Sequence, residues 1–273
     1  LARSPLRWLG GKSGIVKRII PLFPPHDRYC EPFGGSAAVL LAKPRSKVEV
    51  YADLDKRLVN FFRVIQDPEL LAEFTFQVMA TPYSREARYR ARKEPPSKDP
   101  VTEAVRLFVL SRQSFGGMVD KTSWGFSSTT GTSLTHQWIT TIKRLPEVHQ
   151  RLHKVAILRQ PWETTVDMAD RRGTLIYLDP PYVPDTRRDG VYQNEMSLED
   201  HQRMVERLLR LKASCVLSGY PHEVYTPLEK AGWRKRSFSV TCMVVARTKV
   251  SGLKGSGSLD EQKRTECCWI RPA

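Results

Sequence analysis

The 273-residue chain is poor in sulfur and has no long apolar stretch. Its five cysteines, Cys30, Cys215, Cys242, Cys267 and Cys268, are odd in number and form no C-x-x-C pair. That excludes a disulfide framework and gives no zinc-ribbon spacing, so reduced core thiols are expected. No run approaches the roughly 18 apolar residues that cross a bilayer. Leu1 to Lys12 lacks the apolar centre of a signal peptide, so a cytoplasmic protein without membrane contact is expected. Leu1 also stands where an initiator methionine would, and further residues are expected ahead of it. No cluster of ligand-type residues has metal spacing, and no metal is expected. Acidic residues are scarce as well: 29 Asp and Glu face 44 Lys and Arg, a net charge of +15. This imbalance favours a polyanionic partner, nucleic acid first, with a merely basic surface as the alternative. The 40% of hydrophobic and 9% of aromatic residues exclude a disordered chain and suffice for one sizeable core.

The apolar pattern predicts a helix over Ser13 to Ile20, a short strand at Tyr29 to Glu31 and a helix from Ser36 to Leu41. Val48 to Tyr51 is the next strand. Asp55 then caps a helix whose apolar positions Leu58, Val59, Phe62 and Ile65 recur at helical spacing. Strand and helix alternate, which is the mark of a parallel α/β sheet. From about Pro68 to His153 the pattern turns helical, with a basic stretch at Arg85, Arg88, Arg90, Arg92 and Lys93 and a Ser/Thr/Gly-rich loop from Trp124 to His136. Alternation resumes with strands at 155–158, 174–178 and 214–217 and a helix over 198–211. Two strands, within 234–247 and over 265–270, flank a flexible Gly/Ser connection at the end. The division predicted is a catalytic α/β domain from 1–67 plus 154–273, with 68–153 as a helical insertion.

Three segments carry chemistry. Glu31-Pro32-Phe33-Gly34-Gly35-Ser36-Ala37 is a small-residue turn between strand and helix, where glycines let a ligand approach the backbone. Many such turns hold glycines for steric reasons alone, so by itself it leaves nucleotide binding and plain packing both open. Asp53 follows the next strand, 18 residues beyond Gly35, close to the spacing of about 20 at which dinucleotide folds place a ribose-binding carboxylate. An ordinary loop aspartate is the alternative there. The third segment, Leu175 to Tyr182, is a buried-strand run ending in Asp179-Pro180-Pro181-Tyr182. At ordinary composition that tetrapeptide arises by accident in roughly one chain of this length in a thousand. Two prolines fix the turn and withdraw two N–H donors, leaving acceptors at the carboxyl edge of the sheet. Such a site suits a planar amine.

Together these segments resemble the Dam-like deoxyadenosine methyltransferases of the alpha group. Leu6-Arg7-Trp8-Leu9-Gly10-Gly11-Lys12 is similar to that family's K-W-x-G-G-K cofactor element, with Arg7 for lysine. The Glu31 to Ala37 turn is similar to its E-P-F-x-G-x-G loop, with Ala37 for the second glycine. Ser111-Arg112-Gln113-Ser114-Phe115-Gly116-Gly117-Met118 is similar to its N-R-x-x-[FY]-N-G-[LM] segment, with Ser111 and Gly116 for asparagines. Tyr192 to Met196, Leu217 to Tyr220 and Thr265 to Ile270 look like phage members of the family.

The resemblance implies a Rossmann-like S-adenosylmethionine-dependent methyltransferase sheet with an inserted helical target-recognition domain. It implies cofactor contacts from Trp8, Gly11, Lys12, Glu31, Phe33, Gly35, Asp53 and Asp179, and DNA contacts from Arg112, Phe115, Lys121 and Arg88. The expected reaction moves a methyl group to the exocyclic N6 of adenine in double-stranded DNA. Asp179 and the Pro180 carbonyl take the amine hydrogens, and Tyr182 stacks on an extruded base. The competing readings are a methyltransferase acting on RNA or a protein amide, an NAD-dependent oxidoreductase, and a silent nucleic-acid-binding protein. His201 is expected to pack or cap rather than catalyse, and a monomer is expected. The residues leave open the recognition sequence and whether the enzyme stands alone, belongs to a restriction-modification system or is carried by a phage.

Overall fold

The computed structural model describes residues 2–8, 10–117, 119, 124–125, 133–184, 195–241 and 263–271. In chain order these form α1 (Val16–Ile19), β1 (Arg28–Glu31), α2 (Ala38–Ala42), β2 (Val48–Asp53), α3 (Lys56–Gln66), α4 (Pro68–Ala80), α5 (Arg85–Lys93), α6 (Pro100–Gln113), α7 (Leu134–Lys143) and α8 (Leu145–Leu152). There follow β3 (Val155–Arg159), α9 (Trp162–Ala169), β4 (Thr174–Leu178), α10 (Leu198–Leu209), β5 (Ser214–Gly219), α11 (Thr226–Lys230), β6 (Arg234–Thr241) and β7 (Lys263–Arg271). The strand order is β3-β2-β1-β4-β5-β7-β6 in a seven-stranded sheet. Pairs β1–β4, β2–β3 and β4–β5 are parallel, while β7 runs antiparallel to β5 and β6. The predicted Rossmann-like α/β class is thus met. The helix expected over Ser13 to Ile20 differs. It breaks into a 3-10 turn at Lys12–Gly14, one turn of α1 and a second 3-10 turn at Ile20–Leu22, because Gly14 favours an open backbone and Pro21 has no N–H to continue the ladder.

The chain divides into two compact units, 1–20 with 33–162 and 21–32 with 163–273. In the first, helix starts follow local chemistry. Asp55, Asp67 and Asp99 each accept N–H bonds at a first turn, and Pro68 and Pro100 sit where the missing N–H is of no cost. Amphipathic α3 buries Phe61 and Phe62. Phe61 stacks on Phe108 with centroids 6.3 Å apart and meets Phe74 edge-on at 5.7 Å. Beside this aromatic core lies a buried ionic cluster. Glu49 of β2 accepts from Lys43 Nζ at 2.8 Å, from Arg151 Nη2 at 2.8 Å and from the Ser46 N–H at 3.0 Å. Burial opposes ionisation of Glu49, but these donors win and hold its carboxyl below the usual range.

In the second unit every residue of β4 and β5 is buried, as expected of central strands covered on both faces. Cys30, Cys215, Cys267 and Cys268 are buried within strands, and burial pushes the Cys30 and Cys215 thiols well up. Cys242 lies outside the described residues. His201 is fully buried and hydrogen-bonds the Tyr225 hydroxyl through Nδ1 at 3.0 Å, a packing role as expected.

Candidate active site

In the first unit the glycine turn lies against the end of β2. The Gly34 N–H donates to the Ala52 carbonyl at 2.8 Å, and a Cβ on Gly34 would stand 2.1 Å from the Tyr51 ring. Only glycine fits there. Gly35, at φ 48°, donates its N–H to Asp53 Oδ2 at 2.8 Å and accepts the Tyr51 hydroxyl on its carbonyl at 2.8 Å. Tyr51 therefore supports the turn from below, a role that strand position alone did not reveal. Ala37 holds φ 54° and ψ 27°, so the turn keeps a left-handed residue where the family pattern has glycine, at a cost of about 1–2 kcal/mol.

Other predicted cofactor residues gather on this turn. Trp8 Cδ1 lies 3.8 Å from where a Gly35 Cβ would be, and a Cβ on Gly11 would crowd the Trp8 carbonyl at 3.0 Å and Ser36 Oγ at 3.1 Å. Lys12 is buried with Nζ donating to the Gly10 carbonyl at 2.9 Å. Phe33 stacks on Trp162, centroids 6.2 Å apart at 26°. Trp162 was not singled out from sequence, because it lies 129 positions from Phe33 with no motif around it. Half-buried Asp53 has its pKa pushed up to about 6. Burial raises it most, the Asp55 and Gly35 N–H groups pull it back, and the Asp55 charge adds to the rise. A Cβ-free backbone, a carboxylate that can accept ribose hydroxyl hydrogens and flat aromatic rings suit an adenosine moiety, so these residues fit the adenosyl part of S-adenosylmethionine.

The second unit holds the remaining predicted carboxylates. β1 and β4 pair in parallel with Cys30 opposite Ile176, so Glu31 and Asp179 both stand at the carboxyl ends of neighbouring strands. Glu31 is buried and accepts the Tyr29 hydroxyl at 2.5 Å. Asp179 is half-buried, Pro180 is buried and Pro181 half-buried. Tyr182, 7% exposed, donates its hydroxyl toward Asp179 Oδ1 at 3.3 Å and to Glu266 Oε1 of β7, and its ring meets Tyr220 edge-on at 4.6 Å. Burial, followed by the charges of Asp179 and Glu266, raises the Tyr182 pKa far above its ordinary value, so the phenol stays protonated.

The model of the D12 class N6 adenine-specific DNA methyltransferases matches residues 8–227. The chain belongs to that family. Among curated proteins it is 24% identical over 223 residues to the retron Ec67 DNA adenine methylase of Escherichia coli, covering 79% of this chain and 74% of that one. It is 25% identical over 220 residues to the DNA N-6-adenine-methyltransferase of Escherichia phage P1, covering 76% of this chain and 28% of that longer protein. A DNA adenine methylase of Salmonella typhi is 22% identical over 185 residues, or 67% of this chain and 66% of its own. As a D12 class member the chain is a DNA adenine N6-methyltransferase, and the family implies S-adenosylmethionine as methyl donor. Among the described residues no group of ligand-type side chains is placed to hold a metal, and no helix is long and apolar enough to cross a membrane.

The DNA-facing expectations of this D12 protein fall in the first unit. Arg112, near the end of α6, donates through Nη2 to the Gln137 carbonyl at 3.3 Å, and its Nε is buried without a partner among the described residues. Its pKa falls to about 10, through burial first and the like charge of Arg7 second. Arg7 donates to Gln137 Oε1, so both guanidinium groups lean on one residue of α7. Ser111 Oγ donates to the Arg7 carbonyl at 2.6 Å, and a Cβ on Gly117 would stand 2.9 Å from that carbonyl. Positions 111 and 117 therefore hold the Arg7 backbone, a contact over 104 residues that spacing did not announce. Phe115 opens a 3-10 turn and is half-buried. Arg88 is 7% exposed and gives its Nε to Ser114 Oγ at 2.9 Å, which braces α5 against the end of α6. Lys121, Tyr192 and the Gly/Ser connection between the last two strands lie outside the described residues.

Proposed function

We propose that this enzyme binds S-adenosylmethionine, with Trp8, Gly11, Lys12, Glu31, Phe33, Gly35, Asp53 and Asp179 as its cofactor residues, and methylates adenine at a specific site in duplex DNA. The cofactor, when bound, supplies an electrophilic methyl group on a sulfonium. Asp53 accepts ribose hydroxyl hydrogens, and the Phe33–Trp162 pair offers an apolar wall to the adenosine. The exocyclic amine is a weak nucleophile because its lone pair is delocalised into the ring. Asp179 and the Pro180 carbonyl accept its two hydrogens, turn the lone pair toward the methyl and stabilise the positive charge that develops on nitrogen. Tyr182 stacks on the base, which leaves the duplex at a cost of a few kcal/mol. Residues 68–153 act as the target-recognition insertion, with Arg112, Phe115 and Lys121 toward DNA and Arg88 supporting them. The enzyme works as a cytoplasmic monomer.

One observation carries this reading. Asp179 leaves a fully buried strand directly into two prolines and a tyrosine, in a chain whose other unit bonds a glycine turn to Asp53. Radiolabelled methyl transfer to unmethylated duplex DNA, followed by nucleoside analysis, tests substrate and atom together. Label in N6-methyladenine is expected; label only in RNA, in protein or on cytosine overturns the reading. Asp179→Ala should abolish transfer while DNA binding persists, and retained turnover would remove Asp179 from the mechanism.

A further inference from the structure

The family model ends at residue 227, so β7 lies beyond it. Yet β7 sends one carboxylate to the catalytic tetrapeptide. Glu266 is 4% exposed, and its Oε1 accepts the Tyr182 hydroxyl, which also points at Asp179 Oδ1 from 3.3 Å. Neighbours on β7 anchor the strand firmly. Cys267 opposes Gly219 and Cys268 opposes Ser218 in the antiparallel pairing with β5, and Trp269 is fully buried. A carboxylate is an uncommon occupant of such a strand, because burying its charge is costly without a strong donor. The phenol is that donor.

The Tyr182 ring has two degrees of side-chain freedom. Tyr220 closes one side of it edge-on, and the bond to Glu266 fixes the far end of the ring. A stacking platform that is held before the base arrives loses less freedom when the base binds, and the gain is realised in the oriented complex. The same bond places two carboxylates around one phenol, which has a single hydrogen to give.

We propose that Glu266 is a positioning residue for methyl transfer, holding the Tyr182 ring in its stacking pose through the phenol. The proposal rests on the amine-methylation reading above. The test measures single-turnover methyl transfer against pH for the wild type, Glu266→Gln, Glu266→Ala and Tyr182→Phe, with cofactor and DNA dissociation constants taken alongside. Glu266→Gln keeps an acceptor for the phenol but not the charge. It should retain most of the rate at every pH. Glu266→Ala should lose about tenfold or more in rate with both dissociation constants within about twofold of wild type. In the Tyr182→Phe background the alanine change should cost little further.

A folded Glu266→Ala enzyme with wild-type rate overturns the proposal, and so does a Glu266→Gln enzyme as slow as Glu266→Ala. Should the alanine variant fail to fold, Tyr182→Phe, which removes the same bond from its other end, decides: a wild-type rate there overturns the proposal. Tyrosine NMR with labelled Cζ gives a readout independent of turnover: a Tyr182 Cζ resonance that shifts in Glu266→Ala supports the proposal, and one that stays unchanged refutes it. A wild type that labels no adenine would sink the functional reading instead, with the ring signal still judging Glu266.

Discussion

Gly34→Ala is the sharpest perturbation that the cofactor turn offers. The added methyl would stand 2.1, 2.4 and 2.7 Å from Cε2, Cδ2 and Cζ of Tyr51, where carbon atoms rest about 3.5–4.0 Å apart. The ring must retreat by more than about an ångström to reach ordinary contact. Tyr51 has little room, being fully buried on β2 with its ring edge-on to Phe62 at 5.0 Å. Its retreat breaks the hydroxyl bond to the Gly35 carbonyl, worth about 1 kcal/mol, and overpacks the core by about 1–3 kcal/mol. A loss of about 2–4 kcal/mol is therefore expected in urea unfolding, with an unchanged m-value. Because Gly35 also donates to Asp53, S-adenosylmethionine titration should show affinity weakened by about tenfold or more, a difference of about 1.4 kcal/mol. Tyr51→Phe is the control: it removes only the hydroxyl and should cost about 1 kcal/mol. Unfolding of Gly34→Ala within about 0.5 kcal/mol of wild type, with cofactor binding intact, would refute the reasoning.

Two further outcomes follow from charge. The Asp53 carboxyl titrates at about 6, and donors on the ribose favour its ionised form, so the bound group titrates lower than the free one. Cofactor affinity should be level above about pH 6 and weaken by up to about tenfold per unit as pH falls through that value, and Asp53→Asn should flatten the dependence. A slope that survives in Asp53→Asn would assign it elsewhere. Glu49→Ala strands the buried Lys43 and Arg151 charges and should destabilise the fold by about 3–5 kcal/mol in thermal or urea unfolding. Since the Glu49 pKa is lowered on folding, its contribution is present above the unfolded carboxyl pKa and is lost as pH falls through the folded one. A Glu49→Ala protein as stable as wild type at neutral pH would show that the cluster contributes nothing.

The sequence by itself determined those features whose cause is local. The apolar run of β4 and its abrupt end at Asp179 were legible because a buried parallel strand needs continuous hydrophobicity and proline stops it. Asp55 was legible as a cap because its acceptor meets an N–H two residues on. The spacing of Asp53 from Gly35 carried over into a direct bond. What tertiary structure decided are contacts between residues that no period links. Glu266 reaches Tyr182 across 84 positions, Ser111 reaches the Arg7 carbonyl across 104, and Tyr51 props the glycine turn from the strand behind it. Arg88 shows the same limit in reverse. In sequence it is one of several like charges, and only packing against Ser114 distinguishes the buried brace from its exposed neighbours. Backbone periodicity fixes which face a side chain takes, whereas the partner it meets depends on where the rest of the chain has packed.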